Sequence, residues 1–222
     1  VTPVPFVLQL LNSLAALLLL LSFAMLAQRR VVTLVNLLAL QGAILGAATL
    51  LLAWRTGEGN LYVSAALTLT LKVIVLPSLL LRMIRRLGVY WDTDTLLNIP
   101  GTMLLGLVVV VFSFGLAQPI SALASTATRS AVGIAVAVIL LAFLTMITRR
   151  KAMSQVVGFL SMENGLFFGA MSATYGMPMI VEMGVALDVL VAMLVLGVFL
   201  FQIREQFDSL DLEHLESDDD VR

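Results

Sequence analysis

Three ionisable residues stand far inside apolar runs. Glu163 lies in SMENG (161–165), Asp188 in EMGVALDVLVAM (182–193) and Lys72 in ALTLTLKVIVLP (66–77). Two acids and a base in such surroundings can do one kind of chemistry well. They can take up, hold and release protons. They can also do none, if Lys72 forms a fixed ion pair with Glu163 or Asp188, or if the acids stay protonated as hydrogen-bond donors. At a rise of about 1.5 Å per residue, Glu163 and Asp188 sit roughly 15 Å into their runs and Lys72 roughly 16 Å. The hydrocarbon core of a bilayer is about 30 Å thick, so all three fall near its midplane. A charge there costs a few kcal/mol on insertion scales and more on an isolated helix. It is tolerated when it faces a bundle interior, a partner subunit or water. Three such groups at one depth favour a proton path over a fixed pair. Glu182 lies about one turn inside the outer end of the same run as Asp188. It is about 9 Å away along the helix and about 240° around it, so the two acids need not share a face.

The elements that must position these residues are membrane spans. The chain has 222 residues, 60% hydrophobic and 12% charged, against about 25% charged in an ordinary globular domain. A spanning helix needs about 20 mostly apolar residues. Seven runs qualify, at about 5–27, 31–54, 61–84, 99–118, 129–148, 153–174 and 178–203. The first has no basic segment and no cleavage signal ahead of a polar domain, so it reads as a span and not a signal peptide. The expected fold is all-α and integral to the membrane. Arg29 and Arg30, then Arg82, Arg85 and Arg86, then Arg149, Arg150 and Lys151, then Arg204 follow spans one, three, five and seven. The other side offers Arg55 and Arg129. Positive charge marks the cytoplasmic face, which puts the N-terminus outside and the C-terminus inside, in a bacterial or archaeal cytoplasmic membrane. Tyr90 and Trp91, in the long connection 87–100, suit an interfacial position. The tail 205–222 is acidic and reads as a solvated cytoplasmic segment, or as a docking segment for a cytoplasmic partner.

A repeat is visible. The stretch 28–47 lines up on 150–170, with basic residues opening each. Gln41-Gly42-Ala43 falls against Glu163-Asn164-Gly165. The next helix of each half carries one strongly polar residue, Lys72 or Asp188. Spans 1–3 (about 5–86) and 5–7 (about 129–204) therefore read as two copies of a three-helix unit running the same way, joined by the helix at about 99–118. Gln41 is expected to bond across to a neighbouring helix. Asn164, beside Glu163, suits orienting the carboxyl or a water. Pro77 removes a backbone donor and should bend span three, exposing the Val73 carbonyl. The helix ends MLAQRR, MIRRLG and MITRRK read as cytoplasmic anchors.

Other chemistries are disfavoured. The chain has no cysteine, so disulfides, cysteine-ligated clusters and thiol catalysis are excluded. Its one histidine, His214, lies in the acidic tail without clustered partners. A metal site of Glu and Asp alone would want several converging carboxylates. No cofactor, metal centre or nucleophile–base pair is expected, and nothing suggests nucleic-acid binding.

With these residues in view, the chain resembles the component E membrane subunit of hydrogenase-4. The resemblance rests on Met162-Glu163-Asn164-Gly165, on Glu182 to Asp188, on Lys72 to Pro77, and on Asp211-Leu212 with Leu215 in the tail. It runs over essentially the whole chain. The second half is also similar to the three-helix K subunit of respiratory complex I, through its double-basic helix end, Gly158 with Asn164, and an acid in each of the last two helices. It departs from that subunit in one respect. The first acid of the K subunit would align with Leu160, and Glu163 falls about one turn later.

The resemblance implies a non-catalytic subunit of a complex I-like membrane arm, in an oxidoreductase complex. Its partners would be antiporter-like membrane subunits and soluble iron–sulfur subunits. Lys72, Glu163 and Asp188 would be links in a lateral chain of buried charges that moves protons or sodium, with Glu182 toward its outer end and Gln41 and Asn164 in support. Two other readings stand beside it. One is an independent small ion or solute carrier, against which stand the short loops and the lack of paired helix breaks. The other is a structural scaffold between larger subunits.

Overall fold

The computed structural model describes residues 6–57, 59–88, 90–91, 97–122 and 126–173, together with Gly184, Leu187, Leu190 and Gly197, which are helical. The chain divides into two compact units, Val1–Val185 and Ala186–Arg222. Every element named below belongs to the first. Of the second, the described residues are helical.

Long apolar runs become helices because a bilayer offers the backbone no hydrogen-bonding partner, and a helix satisfies its own N–H and C=O groups. The order is α1 (Phe6–Ala27), α2 (Val31–Thr56), α3 (Gly59–Leu69), a π-helical segment (Thr70–Val75), α4 (Leu76–Leu87), α5 (Ile99–Ala122), α6 (Thr126–Thr148) and α7 (Ala152–Ala173). The α3, π and α4 pieces follow one another without a break and act as one span, Gly59–Arg86. Six helices among the described residues are long and apolar enough to cross a membrane, and no strand occurs among those residues. Their ends fall within a few residues of the expected spans. Apart from Gly184, Leu187, Leu190 and Gly197, the expected seventh span (178–203) lies outside the described residues, as do the acidic tail (205–222), Glu182 and Asp188. The seven-span count and the repeat therefore stand as expectations. At Gly57, which stops α2, φ is +73° and the N–H donates to the Ala53 carbonyl at 2.9 Å. This is a left-handed cap that suits glycine.

Two helices organise the unit. α2 packs against α1, α7 and the α3–π–α4 rod, while α6 packs against α7, α5 and α1. Small residues set the α6–α7 distance. A Cβ at Gly165 would come within 2.9 Å of the Val138 and Ile139 side chains, and one at Gly158 within 2.7 Å of Met146. Close backbone approach of this kind is how membrane helices gain dispersion contact where lipid supplies no hydrophobic driving force. Leu18, Leu45, Leu61, Val138, Phe168 and Met171 belong to the largest apolar cluster. α5 is the outlying helix, and its Leu107, Val108, Val111 and Phe112 are exposed.

The basic connections gather at one end. Arg30 lies over the Trp91 ring at 4.6 Å, and the Val31 N–H donates to the Tyr90 carbonyl at 3.1 Å. This ties the end of the rod to the start of α2. Arg149, in one of the helix ends read as cytoplasmic anchors, is turned inward. It is 3% exposed, while Arg150 is exposed. Its Nη2 donates to the carbonyls of Met25 (3.3 Å), Leu26 (3.1 Å) and Gln28 at the close of α1. The physical reason is that the last carbonyls of a helix have no partner within it, and a cation is favoured beside that negative end. A guanidinium with its fork of donors can meet several at once.

Candidate functional site

Lys72 sits in the π segment, near the middle of its span. Here the Leu76 N–H donates to the Leu71 carbonyl, five residues back. π turns are rare and frequently mark functional positions. The sequence predicts a bend at Pro77. The structure winds wider over Thr70–Val75, just ahead of the proline. Pro77 stands in the first turn of α4 and has no N–H to give. α2 comes very close at this point. A Cβ built on Gly42 would lie 2.6 Å from the Lys72 Cβ and 3.1 Å from its carbonyl oxygen. Only a glycine in α2 lets the two backbones meet there.

The Lys72 side chain reaches α7. Its Nζ donates to Glu163 Oε1 at 3.1 Å and to Asn164 Oδ1 at 2.9 Å. It also lies 5.8 Å from the centre of the Phe167 ring. Lys72 is 4% exposed, and Glu163 and Asn164 are 2% exposed. Of the two partners the sequence leaves open for Lys72, the geometry joins it to Glu163. Asp188 and Glu182 lie outside the described residues.

The contact continues away from the ion pair. Asn164 Nδ2 donates to Gln41 Oε1 at 3.3 Å, Gln41 Nε2 donates to Ser22 Oγ at 2.8 Å, and Ser22 Oγ donates to the Leu18 carbonyl at 2.8 Å. Gln41 thus bonds across to neighbouring helices, as expected for an amide in a membrane. Asn164 orients Lys72 as well as standing beside Glu163. Four helical elements, α1, α2, α7 and the π segment, meet in one buried polar network. The two stretches that align in the sequence put their polar positions in contact, since Gln41 belongs to one and Asn164 to the other. Ser22 is a member that sequence reasoning misses. Its one signal is a hydroxyl in the run LLLLLSFAM (17–25).

In chemical terms, the site holds an ammonium and a carboxylate at hydrogen-bond distance, fixed by two amides. Such a pair can pass a proton between its members, or hold a charge while a third group exchanges with it. Among the described residues no three His, Cys, Asp or Glu side chains converge as a metal site would need.

Comparison with known proteins finds several similar chains. The uncharacterized protein Rv0085 of Mycobacterium tuberculosis is 37% identical over 182 residues, covering 82% of this chain and 83% of that one. Hydrogenase-4 component E of Escherichia coli K12 is 23% identical over 206 residues, covering 93% of this chain and 95% of that one. The protein of the same name from Shigella flexneri gives the same figures. No family model matches, and no solved structure matches.

Proposed function

This chain belongs to the family of the mycobacterial protein Rv0085, and from that premise we propose that it is a membrane-arm subunit of a complex I-like, energy-converting complex. In this reading it carries buried charges for proton or sodium translocation, and the redox chemistry takes place in other subunits. Similarity to hydrogenase-4 component E over nearly the whole chain supports the class of complex. The observation that carries the role is the Lys72–Glu163 pair, 3.1 Å apart and buried within spans. Buried ionisable groups in a membrane are expensive and mark ion pathways. Lys72 and Glu163 are the central links, Asn164 and Gln41 hold them, Pro77 interrupts the ladder beside Lys72, and Asp188 and Glu182 extend the chain of charges. The partners are antiporter-like membrane subunits and soluble iron–sulfur subunits. The chain lies in a cytoplasmic membrane with its N-terminus outside and its C-terminus inside.

Mild-detergent purification of the tagged chain from its own membrane, with mass spectrometry of what accompanies it, tests the assignment. Antiporter-like subunits together with iron–sulfur proteins are the expected result. Antiporter-like subunits without redox proteins would point to an ion antiporter. The chain alone would overturn the assignment and favour an independent carrier.

A second reading has its own support. Lys72 is held by both Glu163 and Asn164, which is also what a fixed structural pair requires. On that reading the chain is a scaffold, and neutralising the pair changes how much protein accumulates and leaves ion movement per molecule unchanged.

A further inference from the structure

The basic end of the bundle holds a pocket beside its joint. The close of α1, the start of α5 and the close of α6 enclose a space of ≈ 10 Å³, whose walls include Leu26, Arg29, Ile99, Thr102 and Arg149. Arg149 is fixed there by the carbonyls that end α1, and Arg29 is partly buried. Two guanidiniums around one space repel each other, and an anion between them is drawn to both. Their planar forks of N–H donors match the oxygens of a phosphate. Ile99 opens α5, and the positive end of a helix favours a ligand of the same sign. The Thr102 and Thr148 hydroxyls donate to the Asn98 (3.1 Å) and Leu144 (2.7 Å) carbonyls, so the guanidiniums are the groups that would hold the anion. Among the described residues no Asp or Glu lines the space.

The position of the pocket says which anion. It lies at the end of helices long and apolar enough to cross a membrane, where lipid headgroups stand. Basic pockets between helices at such a level bind anionic headgroups. The space takes about one water-sized atom, so a phosphate sits at its mouth with one oxygen inside. An apolar track leads away along α5. Leu105 and Phe112 follow Thr102 in the chain, within about 80° of it around the helix and up to about 15 Å further along, and both are exposed. An acyl chain can follow them, a contact that a free phosphate does not make. A headgroup with its own ammonium would bring a third cation to the two guanidiniums, which favours an anionic lipid over a zwitterionic one.

We propose that this pocket binds the phosphate of an anionic phospholipid, held between Arg29 and Arg149 with an acyl chain along α5. The proposal needs the bundle to span a bilayer and does not rest on ion translocation.

Phosphatidylglycerol carrying a diazirine on one acyl chain, in phosphatidylcholine vesicles that hold the intact complex, tests it. After illumination, the cross-linked peptides are mapped by mass spectrometry. Labelling within 97–112 should exceed several-fold that from phosphatidylcholine with the same diazirine. Arg29→Gln should lower it about fivefold, the effect of one basic residue near an anionic lipid. Arg29→Lys should keep part of it, and Arg150→Gln, outside the pocket, should change it little. Leu97→Glu sets a carboxylate at the exposed rim of the pocket. It should lower the labelling too, and it serves if Arg29→Gln fails to accumulate. Equal labelling by the two lipids would overturn the proposal. So would an excess that Arg150→Gln lowers as much as Arg29→Gln, which marks surface charge in general, or one that inorganic phosphate removes, which marks a free-anion site. Asp92 and Asp94 precede Leu97 in the chain and lie outside the described residues. An excess that appears only in the Asp92→Asn, Asp94→Asn double variant would give the place to the chain's own carboxylates, and would also overturn it.

Discussion

At the scale of residues, the pair Lys72–Glu163 decides between a path and a pin. Removing one partner of a buried ion pair costs about 3–5 kcal/mol, while replacing both by apolar groups is often near neutral. Lys72→Met alone and Glu163→Leu alone should therefore lower the steady-state amount of protein and shorten its heat-inactivation half-life in detergent, and the double variant should recover most of both. Glu163→Gln should be milder, because its amide oxygen can still accept from Lys72. Both residues can be picked out in the sequence, since an ionisable group in an apolar run is too costly in a bilayer to stand there without a role. Their pairing is one of two open choices there, because spacing along the chain does not say which helices touch. The part Ser22 plays is not legible from its lone hydroxyl in an apolar run. A serine in a membrane helix most often bonds back to its own helix, as Ser13 does to the Gln9 carbonyl at 3.0 Å. Ser22 does the same and also accepts from Gln41.

At the scale of elements, close approach of α2 to the π segment holds the site together. Gly42→Val should push the two apart, because even a Cβ would meet Lys72 at 2.6 Å. Overpacking of this kind costs typically about 1–3 kcal/mol. Gly59→Ala is the control, since a Cβ there meets nothing within 4 Å. Thermal inactivation in detergent, followed as a rate, should separate the two. The spans are legible because length and apolarity are direct requirements of the bilayer. The π winding is not. Pro77 signals an interrupted ladder but not a wider turn ahead of it, in the segment that carries Lys72. Which face of α1 or α5 packs inward is also hidden, because lipid-facing and core-facing side chains are alike in character and leave no polar stripe to read.

At the scale of the molecule, the basic end is built as a joint and not merely as an anchor. Arg149→Met should take the guanidinium donor from the Leu26 and Gln28 carbonyls at the close of α1, at a cost of about 1–3 kcal/mol, whereas Arg150→Met, at an exposed position, should change stability little. The amount of protein recovered from membranes after mild heating would show the difference. The sequence groups Arg149, Arg150 and Lys151 by charge. Which of the three turns inward depends on where α1 ends in space, and that is a property of the assembled bundle. Above all, the molecule either moves ions through the buried pair or uses it only to hold helices together. The most direct measurement is the ion gradient formed per electron transferred, in inverted vesicles carrying the complex with Glu163→Gln, with the amount of the subunit measured in the same vesicles. The expected result is a near-normal amount of subunit, continued electron transfer and a gradient that largely fails to form. A normal gradient, or one that falls only in proportion to the amount of subunit, would contradict it.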